Sequence, residues 1–138
     1  MKLFSHNKKI KIISGLCCLV FFATATIKSE NKEEPFKNLK VLPKNISSNE
    51  LNRIMVDEFS ESVGMTCTSC HAKEKGSERL DYASDTKPEK QIARNMMRMT
   101  LKLNRKYFGV KHPLIGSSIL SISCNTCHKG EPIPDETK

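Results

Sequence analysis

A mostly α-helical fold is what this sequence predicts, built from a unit that occurs twice: an amphipathic helix, a loop and a Cys-x-x-Cys-His motif. Three observations carry that expectation. CTSCH at Cys67–His71 and CNTCH at Cys124–His128 repeat one pattern. Each is preceded by a segment whose apolar residues recur at three- and four-residue steps, the period of one helix face. No alternation of apolar and polar residues is long enough for a useful strand, Ile119–Ile122 excepted.

The first 25 residues read as an export signal. Lys2, Lys8, Lys9 and Lys11 form a basic start without any acid, Ile12 to Ala25 is uncharged and apolar, and Ala23-Thr24-Ala25 is a small-x-small cleavage site. The apolar run of 14 residues is short for a bilayer span, which makes an uncleaved anchor the lesser expectation. Cys17 and Cys18 leave with the signal if cleavage follows Ala25, so every remaining cysteine belongs to one of the two motifs. The four lysines of the signal also account for half of the formal charge of +8.

Residues 26–46 read as an extended leader. Lys28 to Glu34 is wholly polar, and Pro35 and Pro43 prevent a continuous helix. Leu39, Val41 and Leu42 are the leader residues expected to touch the domain, residues 47–134. That domain opens with Ser47 and Glu50, spaced as a capping box. Leu51, Ile54, Met55, Phe59 and Val63 follow as one apolar stripe, and Gly64 is a natural stop three residues before CTSCH. The second unit repeats the grammar. Thr86 and Glu89 have capping-box spacing with Pro88 between them, and Ile92, Met96, Met99 and Leu103 make the main stripe, with Met97 and Leu101 beside it. Gly109 is the stop, and a longer stretch, Val110–Ser123, leads to CNTCH. Gly130, Pro132 and Pro134 end the domain, and residues 135–138 form a frayed tail.

Paired cysteines at this spacing serve three chemistries: a redox disulfide, half a zinc site, or covalent haem attachment. Only the last needs a histidine at the next position, where the imidazole becomes the proximal ligand of the iron. A four-cysteine zinc site separates its pairs by roughly 15–20 residues, whereas Cys70 and Cys124 are separated by 53. The expectation is therefore two c-type haems, attached through Cys67 and Cys70, and through Cys124 and Cys127, with His71 and His128 on the irons. Composition agrees. Trp is absent and aromatics are 6% of the chain, so the polypeptide alone builds a thin core that two buried porphyrins would complete. Haem propionates would bring the remaining charge near neutral, which removes nucleic acid as an expected partner.

The sixth position of each iron decides between electron transfer and ligand chemistry. Met55 is the sole methionine on the first helix, and Met65 is too near Cys67 to reach the opposite face of the same haem. On the second helix periodicity favours Met96 or Met99 over Met97 and does not separate the two. His112, in a loop before Pro113, is either a solvated histidine or a competing ligand. Arg94, Arg98 and Arg105 suit haem propionates or form a solvated basic face. Lys87, Lys90, Lys102 and Lys106 suit the steering of an acidic redox partner.

The stretch Asn38–Pro134 resembles the family of the photosynthetic reaction-centre cytochrome c subunit, in its first two-haem half. The residues that carry the resemblance are Asn38-Leu39-Lys40-Val41-Leu42, the Met55 helix ahead of CTSCH, Met96 with Asn104 and Tyr107 downstream, and Cys124 to Gly130 with Pro132 and Pro134. The resemblance implies that the helix before each motif supplies an axial methionine, which puts Met55 on the first iron and Met96, at the family's spacing before Asn104 and Tyr107, on the second. It also implies electron donation as the activity. The sequence departs from the family's four-haem members in having two motifs, a longer segment before the second, and no convincing lipid site. His112 stands as a positional echo of a family histidine that serves another haem. Together these readings give an exported, periplasmic, dihaem electron carrier with redox-protein partners and a possible peripheral contact with a membrane electron-transfer complex. A peroxidase-like dihaem enzyme with one open iron position is the alternative, and a zinc-binding module a weaker one.

Overall fold

A computed structural model describes residues 36–135, all within the compact unit Pro35–Lys138. The expected signal segment, residues 26–35 of the expected leader and the last three residues lie outside the described residues. Along the chain the elements are α1 (Ser48–Ile54), a π-helical segment (Met55–Glu61), α2 (Cys67–Cys70), strands β1 (Ala72–Lys73) and β2 (Leu80–Asp81), α3 (Pro88–Tyr107) and α4 (Cys124–His128). The fold is mostly helical, as expected. Among the described residues no helix is long and apolar enough to cross a membrane.

The α1 start follows from Ser47, whose hydroxyl accepts the Glu50 N–H at 3.2 Å. The Glu50 carboxylate does not reach back to close the box. It pairs instead with Arg53 at 2.7 Å, which also reaches Asp57 at 3.2 Å. The expected continuous α-helix widens at Met55. Ser62 N–H bonds the Asp57 carbonyl five residues back at 3.0 Å, and the Ser62 hydroxyl donates to the same oxygen at 2.6 Å. Gly64 ends the segment in the left-handed region, so that Met65 N–H can return to Phe59 O at 3.0 Å. A Cβ at Gly64 would lie 2.1 Å from the Gly130 carbonyl oxygen, and Gly130 N–H bonds Ser62 O at 2.9 Å. The end of the first helix and the end of the second motif are thus joined backbone to backbone, a contact only glycine permits.

Two expectations about the second helix are corrected. The capping box at Thr86 and Glu89 is absent. Pro88 opens α3 and holds Lys87 extended as an N-cap with no side-chain bond, which leaves Thr86 outside the helix, bonded to Ser84. The face turned to the protein is also not the main apolar stripe. Arg94, Met97, Thr100 and Asn104 are buried, while Met96 and Met99 are 43% and 48% exposed and Ile92 is exposed too. At 3.6 residues per turn the two faces lie about a third of a turn apart. The protein-facing side is rich in hydrogen-bonded polar groups, so apolar periodicity underestimates its burial. Met97 joins Leu42, Ile54 and Ile115 in the core, with Leu39, Val41, Leu51, Met55, Phe59 and Leu101 packed around them.

The strands are a third correction. Ile119–Ile122 forms turns, and pairing occurs instead between β1 and β2, antiparallel with Ala72 opposite Asp81 and Lys73 opposite Leu80. Their loop is closed by Glu74 N–H to Arg79 O at 2.8 Å and by a Lys73–Glu78 ion pair.

Candidate functional site

The first motif follows Thr66, the extended residue before α2, whose hydroxyl lies 3.1 Å from those of Thr68 and Ser69. The α2 turn packs against α3, and α4 packs against the π-helical segment. Each motif therefore leans on the helix of the other unit. After Cys70 the backbone becomes extended at His71 and enters the hairpin, which returns Tyr82 to the imidazole. The two rings meet edge to face, 5.0 Å between centroids. Burial, the charge on Lys90 and, in opposition, a hydrogen bond to the Tyr82 backbone carbonyl act on His71. Burial wins and holds the imidazole below the usual histidine range, so it is neutral and able to donate a lone pair to a metal. Its Nδ1 is buried without a hydrogen-bond partner.

A cavity of about 450 Å³ opens beside this histidine. Its lining includes Met55, Phe59, Met65, Cys67, Cys70 and His71. Sequence analysis proposed Met55, Cys67, Cys70 and His71 as one ligand set, and the structure brings all four to one cavity. The charged lining residues are Lys37, Lys40, Lys90 and Arg94, with no acid among them. An apolar chamber lined with thiols, a neutral imidazole, a thioether and a cationic rim fits a flat, apolar, dianionic cofactor such as haem. Burial, then the Glu89 charge, push the Cys70 thiol up.

The second motif is held differently. Ser123 N–H donates to the Thr126 hydroxyl at 3.0 Å, which starts α4. Lys129, in the left-handed region, ends it. His128 Nδ1 lies 2.9 Å from the Glu131 carbonyl, a bond that makes Nδ1 the donor and leaves Nε2 as the free lone pair. Burial, reinforced by a hydrogen bond with Glu58, pushes the Cys124 thiol up to about 12. The segment before α4 is anchored by Asn104, which has no exposed surface. Its amide NH₂ donates to Thr100 O at 3.0 Å and Ile122 O at 2.7 Å. Its carbonyl accepts Ser121 N–H at 2.8 Å and Ile122 N–H at 3.2 Å. Met96 and Met99 both stand on the exposed face of α3, and the structure places neither in the first cavity. His112 is exposed.

Among the described residues the four motif cysteines form no disulfide, and no three His, Cys, Asp or Glu side chains converge as a ligand set for a metal ion. Residues outside the candidate set also matter. Arg94, 5% exposed, bonds Asp85 at 2.8 Å and Asn38 O at 3.2 Å. Lys90 bonds Tyr82 O at 2.8 Å and Ser84 O at 2.6 Å, so it is turned inward and does not belong to the steering face expected of it. Asp85, which receives both, was missed. Its partners lie up to 47 residues away, and no local pattern marks it.

The sequence model of the family described as photosynthetic reaction centre cytochrome C subunit matches residues 18–138. The chain belongs to this family. It is 33% identical over 103 residues to the photosynthetic reaction center cytochrome c subunit of Rubrivivax gelatinosus, covering 73% of this chain and 24% of that protein. It is 26% identical over 110 residues to the subunit of the same name from Roseobacter denitrificans, covering 78% and 27%. The chain thus spans about a quarter of the length of these curated relatives. No solved structure matches it closely enough to count as a relative.

Proposed function

We propose that this protein is a c-type cytochrome that carries single electrons through two covalent haems. The observation that carries the reading is the convergence of Met55, Cys67, Cys70 and His71 on one apolar cavity with a cationic rim, in a chain of the reaction-centre cytochrome family. When bound, the haem iron supplies a one-electron couple. Cys67 and Cys70 would tether the first porphyrin, His71 would offer its iron an imidazole nitrogen and Met55 a thioether, a donor that favours ferrous iron and raises the potential. Cys124, Cys127 and His128 would do the same for the second, with the Glu131 carbonyl orienting the imidazole.

Met96 is the sixth ligand proposed for the second iron. It sits with Ile92, Met99 and Leu103 on an α3 face that is apolar and largely exposed, a surface suited to a flat apolar partner. Family spacing before Asn104 and Tyr107 favours Met96 over Met99. With Met55 and Met96 both committed to iron, neither site would keep a position for a substrate, which suits electron transfer with little structural change. The signal (residues 1–25), leader (26–46) and dihaem domain (47–134) belong to the same reading, with export to the periplasm. The partners are redox proteins, and the names of the relatives point to a membrane photosynthetic complex as the class of assembly.

Expression with haem-maturation machinery tests this directly. The exported protein should start at Thr26, exceed its polypeptide mass by two haems, and show a ferric sulfur-to-iron band that Met55→Ala and Met96→Ala each reduce by about half. A haem-free mass overturns the reading. A carbon-monoxide shift of the ferrous spectrum in the native protein would replace the carrier with the open-iron, peroxidase-like enzyme.

A further inference from the structure

Asp85 lies behind the cationic rim of the first cavity. Lys40 reaches its Oδ2 at 2.7 Å. Its Oδ1 takes Arg94 Nη1 at 2.8 Å, the Asn38 amide at 2.8 Å and Lys90 Nζ at 3.6 Å. All four partners line the cavity. The carboxylate is held well below the usual range, first by the Lys40 bond, against burial as the next-largest effect, and then by Arg94 and Asn38. The partners come from two separate parts of the chain: Asn38 and Lys40 precede α1, and Lys90 and Arg94 belong to α3. One carboxylate therefore bonds two cations, Lys40 and Arg94, and faces a third, Lys90, whose ammonium is held by the Tyr82 and Ser84 carbonyls, and it ties the segment of Asn38 and Lys40 to α3.

We propose that Asp85 is a positioning residue for the first cofactor, holding the rim cations in place and setting the electrostatic field at that iron alone. The inference rests on the haem reading of Cys67–His71. Asp85 touches no ligand of the iron. It acts through the cations, and its own negative charge favours ferric over ferrous iron by ordinary Coulomb attraction. The second motif leans on the π-helical segment, and Asp85 and its four partners belong neither to that segment nor to α4. The field thus distinguishes two sites whose ligand types are the same.

Redox titration of the two-haem protein tests it with variants of opposite sign. Asp85→Asn removes a negative charge and raises the step of the first site, identified as the step that Met55→Ala also shifts, and leaves the other step unmoved. Lys40→Gln, a half-exposed position, removes a positive charge and lowers that same step. Asp85→Glu keeps the native potential. Glu78→Gln, which removes an equally negative charge from the hairpin, moves neither. If Asp85→Asn does not fold, the Lys40→Gln and Glu78→Gln pair decides alone. The proposal is overturned if both steps move together, if neither moves, or if Asp85→Asn and Lys40→Gln shift the step in the same direction, as mere loosening would do. A peptide map without haem on Cys67 and Cys70 would instead defeat the underlying site reading, an outcome visible before any titration.

Discussion

Cys67–His71 and Cys124–His128 spell the same pattern, yet the surroundings of the two segments share almost nothing. Around the first motif stand a cavity, a two-stranded hairpin and a charge cluster centred on Asp85. Around the second, among the described residues, there is no hairpin and no ion-pair cluster. It is held by one buried amide, Asn104, and by the backbone contact between Gly64 and Gly130. Each motif also packs on the other unit's helix. A repeated sequence unit has therefore not produced two independent structural units. The duplication sets the order of parts along the chain, and long-range polar contacts decide where each part rests. Neither half is expected to fold without the other.

The sharpest way to break this contrast is Asn104→Leu. It strips partners from the part-buried N–H groups of Ser121 and Ile122 and from the Thr100 and Ile122 carbonyls, and a fully buried orphaned group costs about 1–3 kcal/mol. We expect a loss of about 4 kcal/mol in denaturant unfolding and preferential loss of the haem on Cys124 and Cys127, read by peptide mapping. Equal loss from both motifs would mean that Asn104 serves the whole fold instead of the second site. Gly64→Ala comes next. It combines a left-handed backbone with a 2.1 Å approach to Gly130 O, and should cost about 3 kcal/mol. The same spectral change should appear at both haems, since the contact joins the two.

A finer test sets two neighbouring methionines against each other. Met97→Ala leaves a cavity among Leu42, Ile54 and Ile115 and should cost about 2–3 kcal/mol while leaving both potentials in place. Met96→Ala, on the exposed face, should cost little stability and lower one potential. Met99→Ala removing the sulfur band in its stead would transfer the second ligand to Met99. The smallest effect concerns acid. The folded pKa of Asp85 is depressed, so its contribution to stability is present above the unfolded value of about 3.9 and is lost as pH falls below it. Asp85→Asn should flatten the stability profile below about pH 4 and leave its shape above pH 6 unchanged.

What could be read from the sequence was local. Ser47 announced its cap, Gly64 and Gly109 announced their stops, and the first stripe pointed Ile54 into the core. The convergence of Met55 with CTSCH also followed from order along the chain. What could not be read depended on distance or on competition. On α3 two apolar stripes compete, and the one that packs on protein is completed by Arg94, Thr100 and Asn104, residue types that signal exposure until their partners are known. Asp85 and Asn38 meet across 47 residues. The widening at Met55 leaves no trace in apolar periodicity, because Met55, Phe59 and Val63 keep the spacing of an ordinary helix.

That widening changes what evolution can do with the segment. A π-helical turn holds one residue more than an α turn over nearly the same height, the form taken when a residue is inserted into an existing helix and the ends are held in place. Ser47 and Gly64 pin the two ends here. Deleting a single residue between Val56 and Ser60 would let the segment return to α geometry with both ends still in place. Met55 and Phe59, then three residues apart instead of four, would stay on one helix face. A further insertion has no such outlet, so this stretch is expected to tolerate the loss of one residue better than the gain of one.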